Sequence, residues 1–217
     1  MKGDKELQKQ VMDELSWEPS VDAAEIGVAS DSGVVMLSGT VQSYSEKWAA
    51  ERAAERVKGV KAVTDEIQVR ILGGFQRTDA DIARAATNNL EWHASVPHDR
   101  IKVLVENGWV TLDGTVEHHF QKAEAQRVAR NLLGVKGVIN RIDVKPVISP
   151  VDIKNKIVQA LQRTATVDAK HISVESSDTK VILRGAVKSW VEREGAEQVA
   201  WAAPGVSEVE NNIEIAA

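Results

Sequence analysis

The sequence predicts an α+β protein made of three tandem α-β-β-α-β units. Each unit is a small mixed three-stranded sheet with two helices packed on one face. Three observations predict it. Leu37-Ser38-Gly39-Thr40-Val41 returns as Leu112-Asp113-Gly114-Thr115-Val116 and again as Leu183-Arg184-Gly185-Ala186-Val187, at intervals of 75 and 71 residues. A Gly-Val pair follows each of these glycines by 20 residues, at Gly59-Val60, Gly134-Val135 and Gly205-Val206. Within every copy the apolar period runs from helical to alternating, back to helical, then to alternating once more.

The first element of each unit carries one apolar stripe at helical spacing: Leu7, Val11, Leu15; Ile82, Ala86, Leu90; Ile153, Ile157, Leu161. Asp79 and Asp152 suit helix N-termini, where backbone N–H groups lack partners. Two alternating runs follow. Ile26, Val28, Val35 and Leu37 share one face, matched by Ile101, Val103, Val110, Leu112 and by Ile172, Val174, Val181, Leu183. Asp31-Ser32-Gly33 and Glu106-Asn107-Gly108 read as hairpin turns, whereas Ser177-Asp178-Thr179 lacks glycine and predicts another turn type.

The second helix opens with capping-box spacing at Ser43 with Glu46 and at Ser189 with Glu192; His118 and Gln121 stand there in the middle copy. Its inner face is small: Ala50, Ala53, Ala54, Val57; Ala125, Val128, Ala129, Leu132; Ala196, Val199, Ala200, Ala203. Gly59, Gly134 and Gly205 are expected as left-handed caps of this helix. A last strand carries Val63, Ile67, Val69, with counterparts Val138, Ile142, Val144 and Val209, Ile213, Ile215. The strand–helix–strand portion predicts a parallel pair beside the antiparallel hairpin. Domain boundaries fall at 1–72, 73–146 and 147–217. The linker Leu72-Gly73-Gly74-Phe75 reads as flexible, and Pro146-Val147-Ile148-Ser149-Pro150 as stiff.

Val35-Met36-Leu37-Ser38-Gly39-Thr40-Val41, followed by Gly59-Val60-Lys61-Ala62-Val63 in an α-β-β-α-β order, resembles the BON domain (bacterial OsmY and nodulation). The resemblance covers nearly the whole chain, three times. It implies a non-enzymatic module associated with phospholipid membranes, the bacterial envelope and osmotic or other stress. Gly39, Gly59, Gly114, Gly134, Gly185 and Gly205 are structural in such a reading, and no catalytic residue is implied.

Composition narrows the function classes. The 217 residues are 43% hydrophobic and 27% charged, as in ordinary globular domains. A formal net charge of −5 argues against a nucleic-acid binder working through a global basic field. With 0 cysteines there is no thiolate ligand or Cys nucleophile. There is no Walker A loop, no Gly-x-Gly-x-x-Gly and no Gly-x-Ser-x-Gly elbow, so neither enzyme activity nor a cofactor is expected. No apolar run is long enough to span a bilayer. As written, the chain lacks a signal peptide and reads as cytoplasmic; as a trimmed mature form it would be periplasmic.

Two groups of residues are candidates for contact. His93, His98, His118 and His119 all lie in the middle copy, where topology brings two loops to one edge; imidazoles there are a conceivable metal site. The second group is aromatic. Of 6 tryptophans, several align with charged residues in other copies, so they do not belong to the core. Trp201 aligns with Glu55 and Arg130, Trp48 with Ala123 and Glu194, Trp109 with Val34 and Lys180, and Trp17 and Trp92 with Arg163. Trp190 aligns with Tyr44 and His119. Trp17, Tyr44, Trp48, Trp92, Trp190 and Trp201 are therefore read either as cover between repeats or as contacts to a phospholipid surface or a protein partner. Trp17, Tyr44, Trp92 and Trp190 are expected at one end of their units. The leading expectation is a phospholipid-associating stress-response module. The alternatives are a soluble protein–protein adaptor and an ion-binding stress protein.

Overall fold

In a computed structural model of the chain, residues 3–146, 153–164 and 171–216 are described. The first repeat runs α1 (Asp4–Trp17), β1 (Ile26–Asp31), β2 (Val34–Val41), α2 (Tyr44–Arg56), β3 (Ala62–Val69). The second runs α3 (Asp79–Trp92), β4 (Ile101–Glu106), β5 (Trp109–Val116), α4 (His119–Arg130), β6 (Gly137–Val144). The third runs α5 (Ile153–Arg163), β7 (Ile172–Ser177), β8 (Lys180–Val187), α6 (Trp190–Trp201), β9 (Glu208–Ile215).

Each repeat forms its own three-stranded sheet with its strands in chain order. In the first, β1 and β2 are antiparallel with Val28 opposite Leu37, and β2 and β3 are parallel with Gly39 opposite Ile67. The third repeats this register, with Val174 opposite Leu183 and Gly185 opposite Ile213. The parallel pair forms because α2 and α6 carry the chain back across the sheet before the last strand begins.

The helical stripes make the core. Leu7, Val11, Leu15 and their counterparts Ile82, Ala86, Leu90 and Ile153, Ile157, Leu161 are all buried. They meet Val35, Leu37, Val110, Leu112, Val181 and Leu183 from the central strands. Alanines at 50, 53 and 54, at 125 and 129, and at 196 and 200 are wholly buried, which lets the second helix lie close on its sheet. Among the described residues no polar or charged side chain is buried.

Local chemistry sets the ends of the elements. Thr78 and Asp81 make a reciprocal capping box at α3. At α2 and α6 the arrangement is shifted by one residue. Ser43 and Ser189 accept from the Glu46 and Glu192 N–H groups, but those glutamates reach back to Gln42 N and Lys188 N. The first residue of α3 also pins the hairpin: the Asp79 carboxylate accepts from Asn107 N and Gly108 N, both at 2.8 Å. Asp4 does the same for Ser32 N at 2.8 Å.

Ser32-Gly33 and Asn107-Gly108 have positive φ at both residues, as a type I′ hairpin turn requires. In the third repeat only Asp178 does, so the turn there differs from the other two, as its lack of glycine led one to expect. One expectation needs correction. Gly59, Gly134 and Gly205 do not cap the second helix. Helix α2 ends at Arg56 and the chain turns extended at Val57. Gly59, at φ +104°, is then the third residue of a separate turn closed by Val60 N to Val57 O at 3.2 Å. The motif glycines Gly39, Gly114 and Gly185 are required for another reason. They hold φ +123°, +150° and +137°, and a Cβ there would collide with the carbonyl oxygen of Glu25, Arg100 or His171. The turn entering the first strand passes directly against them.

The linker residues Gly73–Phe75 form a single 3-10 turn. The expected N-terminal Asp152 and all but Pro146 of the second linker lie outside the described residues. The chain divides into two compact bodies: Met1–Thr115 with Gln121–Ile142, and Val116–Phe120 with Asp143–Ala217.

Candidate functional site

The aromatic residues separate into two sets. Trp17 and Trp92 occupy the same position, the last residue of the first helix in repeats one and two. They are 82% and 88% exposed, the highest values among the large apolar side chains described. Burying an indole releases far more free energy than burying most side chains, which makes two indoles left in water at matched positions the candidate contact residues.

The second set is covered. In the first body, Arg130 of α4 lies over the Trp48 ring of α2 at 3.6 Å, and Arg52 approaches the same ring at 5.6 Å. Tyr44, at the start of α2, is joined by a backbone hydrogen bond to Val138 on β6; burial first, then the charge of Glu51, raises its phenol above the ordinary value. In the second body the His119 ring stacks on Trp201 at 4.0 Å between centroids and 12° between planes. Trp190 is half-buried, its indole Nε1 enclosed without a hydrogen-bond partner, with Arg193 5.2 Å from the ring. Trp109 belongs to neither set: it is 49% exposed, with one edge of its ring where a Cβ on Gly137 would stand.

The expectation that Trp17 and Tyr44 share one end of the unit is not met. Glu18, next to Trp17, pairs with Arg56 in the last turn of α2 at 3.0 Å. Tyr44 is in the first turn of that helix, 12 residues and about 18 Å away along its axis. The loop that follows α1 then reaches the start of α2, where Asp22 N donates to Glu46 at 3.0 Å.

The histidines have separate surroundings. His93 Nε2 receives a hydrogen bond from Arg127 at 3.0 Å, because a guanidinium only donates, and its Nδ1 faces Ser95 Oγ at 3.1 Å. His98 is exposed in a 3-10 turn, His118 stacks on Phe120 at 5.6 Å, and His119 is held on Trp201. Among the described residues no three His, Asp or Glu side chains could hold a metal ion.

Sequence reasoning missed one cluster. Glu51 on α2 faces Asp65 on β3, whose carboxylate also pairs with Lys47 Nζ at 2.5 Å and accepts from Ile67 N at 2.9 Å. Burial first, then the hydrogen bond and charge of Asp65, push the Glu51 carboxyl up to about 7. The second repeat has amides at both positions, with Asn140 Nδ2 donating to Gln126 Oε1 at 3.2 Å. The third keeps one amide, with Asn211 donating to Glu197 at 2.8 Å. Aligning the copies at these two positions would have exposed the odd carboxylate pair.

One cleft, of about 290 Å³, is lined by Ile71, Phe75, Leu132 and Leu133 with Ser43 and Glu46. It lies just below the usual size of a small-molecule pocket. Among the described residues no helix is long and apolar enough to cross a membrane.

Comparison with known proteins agrees with this architecture. The chain is 33% identical over 125 residues to osmotically-inducible protein Y of Escherichia coli, covering 56% of this chain and 62% of that protein. It is 32% identical over 143 residues to a 21 kDa hemolysin of Actinobacillus pleuropneumoniae, covering 64% of this chain and 73% of the other. The chain thus spans less than two thirds of the first relative's length. Two solved structures of CdsD, a structural protein of the type III secretion system of Chlamydia trachomatis, match over 100% and 97% of this chain and 100% and 92% of those chains. Their identities are 14% and 15% with a TM-score of 0.27, a likeness that carries no argument. The family model described as the BON domain matches residues 3–71, 78–146 and 151–217, and the chain belongs to the BON-domain family.

Proposed function

We propose that this chain is a non-catalytic module that associates peripherally with a phospholipid surface in a bacterial osmotic or general stress response. The observation that carries the reading is the exposure of Trp17 and Trp92, at 82% and 88%, at one repeated position. An indole at a water–lipid boundary buries its ring among headgroups while its N–H stays hydrogen-bonded, which makes Trp the characteristic residue of that interface. Kinship with a protein named for osmotic induction supports the stress setting. The charge around Trp17 is not basic, since Glu14 and Glu18 share the single guanidinium of Arg56 at 3.1 and 3.0 Å. Insertion of the rings, with little contribution from headgroup charge, is therefore the expected source of affinity.

The test is co-sedimentation with vesicles of neutral and of anionic phospholipid, following tryptophan emission. Binding with a blue shift is expected, only weakly reduced by salt. Replacing Trp17 and Trp92 together by alanine should lower affinity at least tenfold with the fold intact. No binding to either vesicle, or binding that survives the double replacement, would overturn the reading; the first result would leave these rings as anchors for a protein partner.

A further inference from the structure

Strand order leaves β1, β4 and β7 as one edge of each sheet. In the second repeat Glu106 lies opposite Trp109 across the two-residue Asn107-Gly108 turn, with Leu104 opposite Thr111 and Lys102 opposite Asp113. A two-residue turn makes its closing pair a hydrogen-bonded one, so Lys102, Leu104 and Glu106 commit their backbone groups to β5. The N–H and C=O groups of Val103 and Val105 point the other way, to the open edge. The first repeat meets the opposite edge of this sheet, where Tyr44 is joined by a backbone hydrogen bond to Val138 on β6.

The first repeat shows how such an edge is covered. Gln8 Nε2 of α1 donates to Val28 O, the counterpart of Val103 O, at 2.7 Å. Gln8 follows Leu7; the residue that follows Ile82 is Ala83, whose side chain has no donor. The outward row of side chains differs as well. Along β4, Lys102, Leu104 and Glu106 alternate with the inward Ile101, Val103 and Val105, and all three are exposed, Leu104 at 56%.

That row is complementary to itself. An antiparallel β4–β4 pair centred on Leu104 sets the two Leu104 side chains against each other and Lys102 of each copy opposite Glu106 of the other. In the same register Val103 of one copy lies opposite Val105 of the other, so the outward backbone groups of both strands bond in pairs. The two-fold repeats every contact, as an isologous interface requires. The other two edges do not offer this. The counterpart of Leu104 is Ala29 in β1, flanked by Gly27 and Asp31, and Glu175 in β7, where the same pairing would set two carboxylates side by side.

We propose that the edge strand β4 is a self-pairing surface through which two copies of this chain form a dimer, joining their second-repeat sheets into one continuous sheet. The surface is small, so the dimer is reversible and its occupancy follows concentration.

The test is sedimentation velocity of the full chain over a concentration series reaching about 1 mM, where even a weak interface of this size is populated. The weight-average sedimentation coefficient of the wild type should rise with concentration towards that of a dimer. Lys102→Glu sets a like charge against each Glu106, twice over by symmetry, and should weaken dimerisation by about tenfold or more. Glu106→Lys should do the same. Lys102→Glu combined with Glu106→Lys restores the opposite pairs and should dimerise as the wild type does, which also shows that these exposed positions tolerate reversal. Hydrogen exchange reads the edge itself: the Val103 and Val105 amides should slow as concentration rises. A wild type that stays monomeric throughout overturns the proposal. So do single reversals that dimerise as well as the wild type, or a swapped chain that stays monomeric. Association that leaves the Val103 and Val105 amides exchanging freely also overturns it, and assigns the contact to another surface, such as the exposed sheet face around Trp109 and Ile139.

Discussion

Replacing Glu51 with glutamine should stabilise the first repeat, and only above acidic pH. Glu51 is half-buried on α2 against Asp65, and its carboxyl titrates near about 7 instead of its ordinary value of 4.5. The cause is burial first, then Asp65; Lys47 opposes the shift and Glu55 adds to it. Because the folded value lies above the unfolded one, folding favours the protonated acid. Glu51 costs nothing below the unfolded value, and its penalty grows as pH rises from there to about 7, staying constant above. A shift of this size corresponds to roughly 3 kcal/mol for a fully enclosed group; with solvent reaching the side chain, about 1–2 kcal/mol is the expected share. Glutamine keeps the shape, donates an N–H to Asp65 and does not titrate; the second repeat already carries an amide at this position, Gln126, whose oxygen accepts from Asn140 Nδ2 at 3.2 Å. Urea unfolding at about pH 4 and about pH 8.5 is the assay. The variant and wild type should coincide at the lower pH. At the higher pH the variant's midpoint should move up by roughly 0.5–1 M, for an m-value of about 1–3 kcal/mol/M. A difference of the same size at both values would refute the linkage. A loss of stability at the higher pH would show instead that ionised Glu51 is a favourable partner of Lys47.

Two further outcomes follow from the geometry. Gly114→Ala should destabilise its repeat by about 2–4 kcal/mol, since it sets a Cβ against the Arg100 carbonyl at φ +150°; chemical denaturation reads this directly. Arg130→Ala removes the cation over Trp48 and should cost about 0.5–2 kcal/mol. It should also change Trp48 emission, measured in a variant whose other tryptophans are replaced by phenylalanine. An unchanged emission would mean that the guanidinium does not sit on that ring in solution.

The core was legible because period alone specifies it. Leu7, Val11 and Leu15 recur in place at 82, 86, 90 and at 153, 157, 161, and every one is buried. That Trp17 and Trp92 lie outside the core was legible by register, because their third counterpart is Arg163, a residue that water must reach; whether they were covered or exposed was not. What period cannot show is which ends of two packed helices meet. Glu18 lies beside Arg56, at the opposite end of α2 from Tyr44. Nor does a glycine's place in the sequence tell a helix cap from a turn that begins after the helix has ended. Gly59 sits beyond Val57, which has already left helical geometry, and that is settled by packing of the following strand.

Triplication explains why the residues outside the core differ so much between copies. A repeat of this size needs the same alanines, valines and leucines every time to close its sheet under two helices. The first turn of the second helix is under no such demand. It carries Tyr44 where a guanidinium arrives, His119 where an indole arrives, and Trp190 at the start of α6. The last residue of the first helix is equally unconstrained and carries Trp, Trp and Arg. The proposed lipid contact uses one of these unconstrained positions. At the end of the first helix, Trp17 and Trp92 set aromatic surface in two copies where Arg163 sets charge in the third, and the fold itself requires neither.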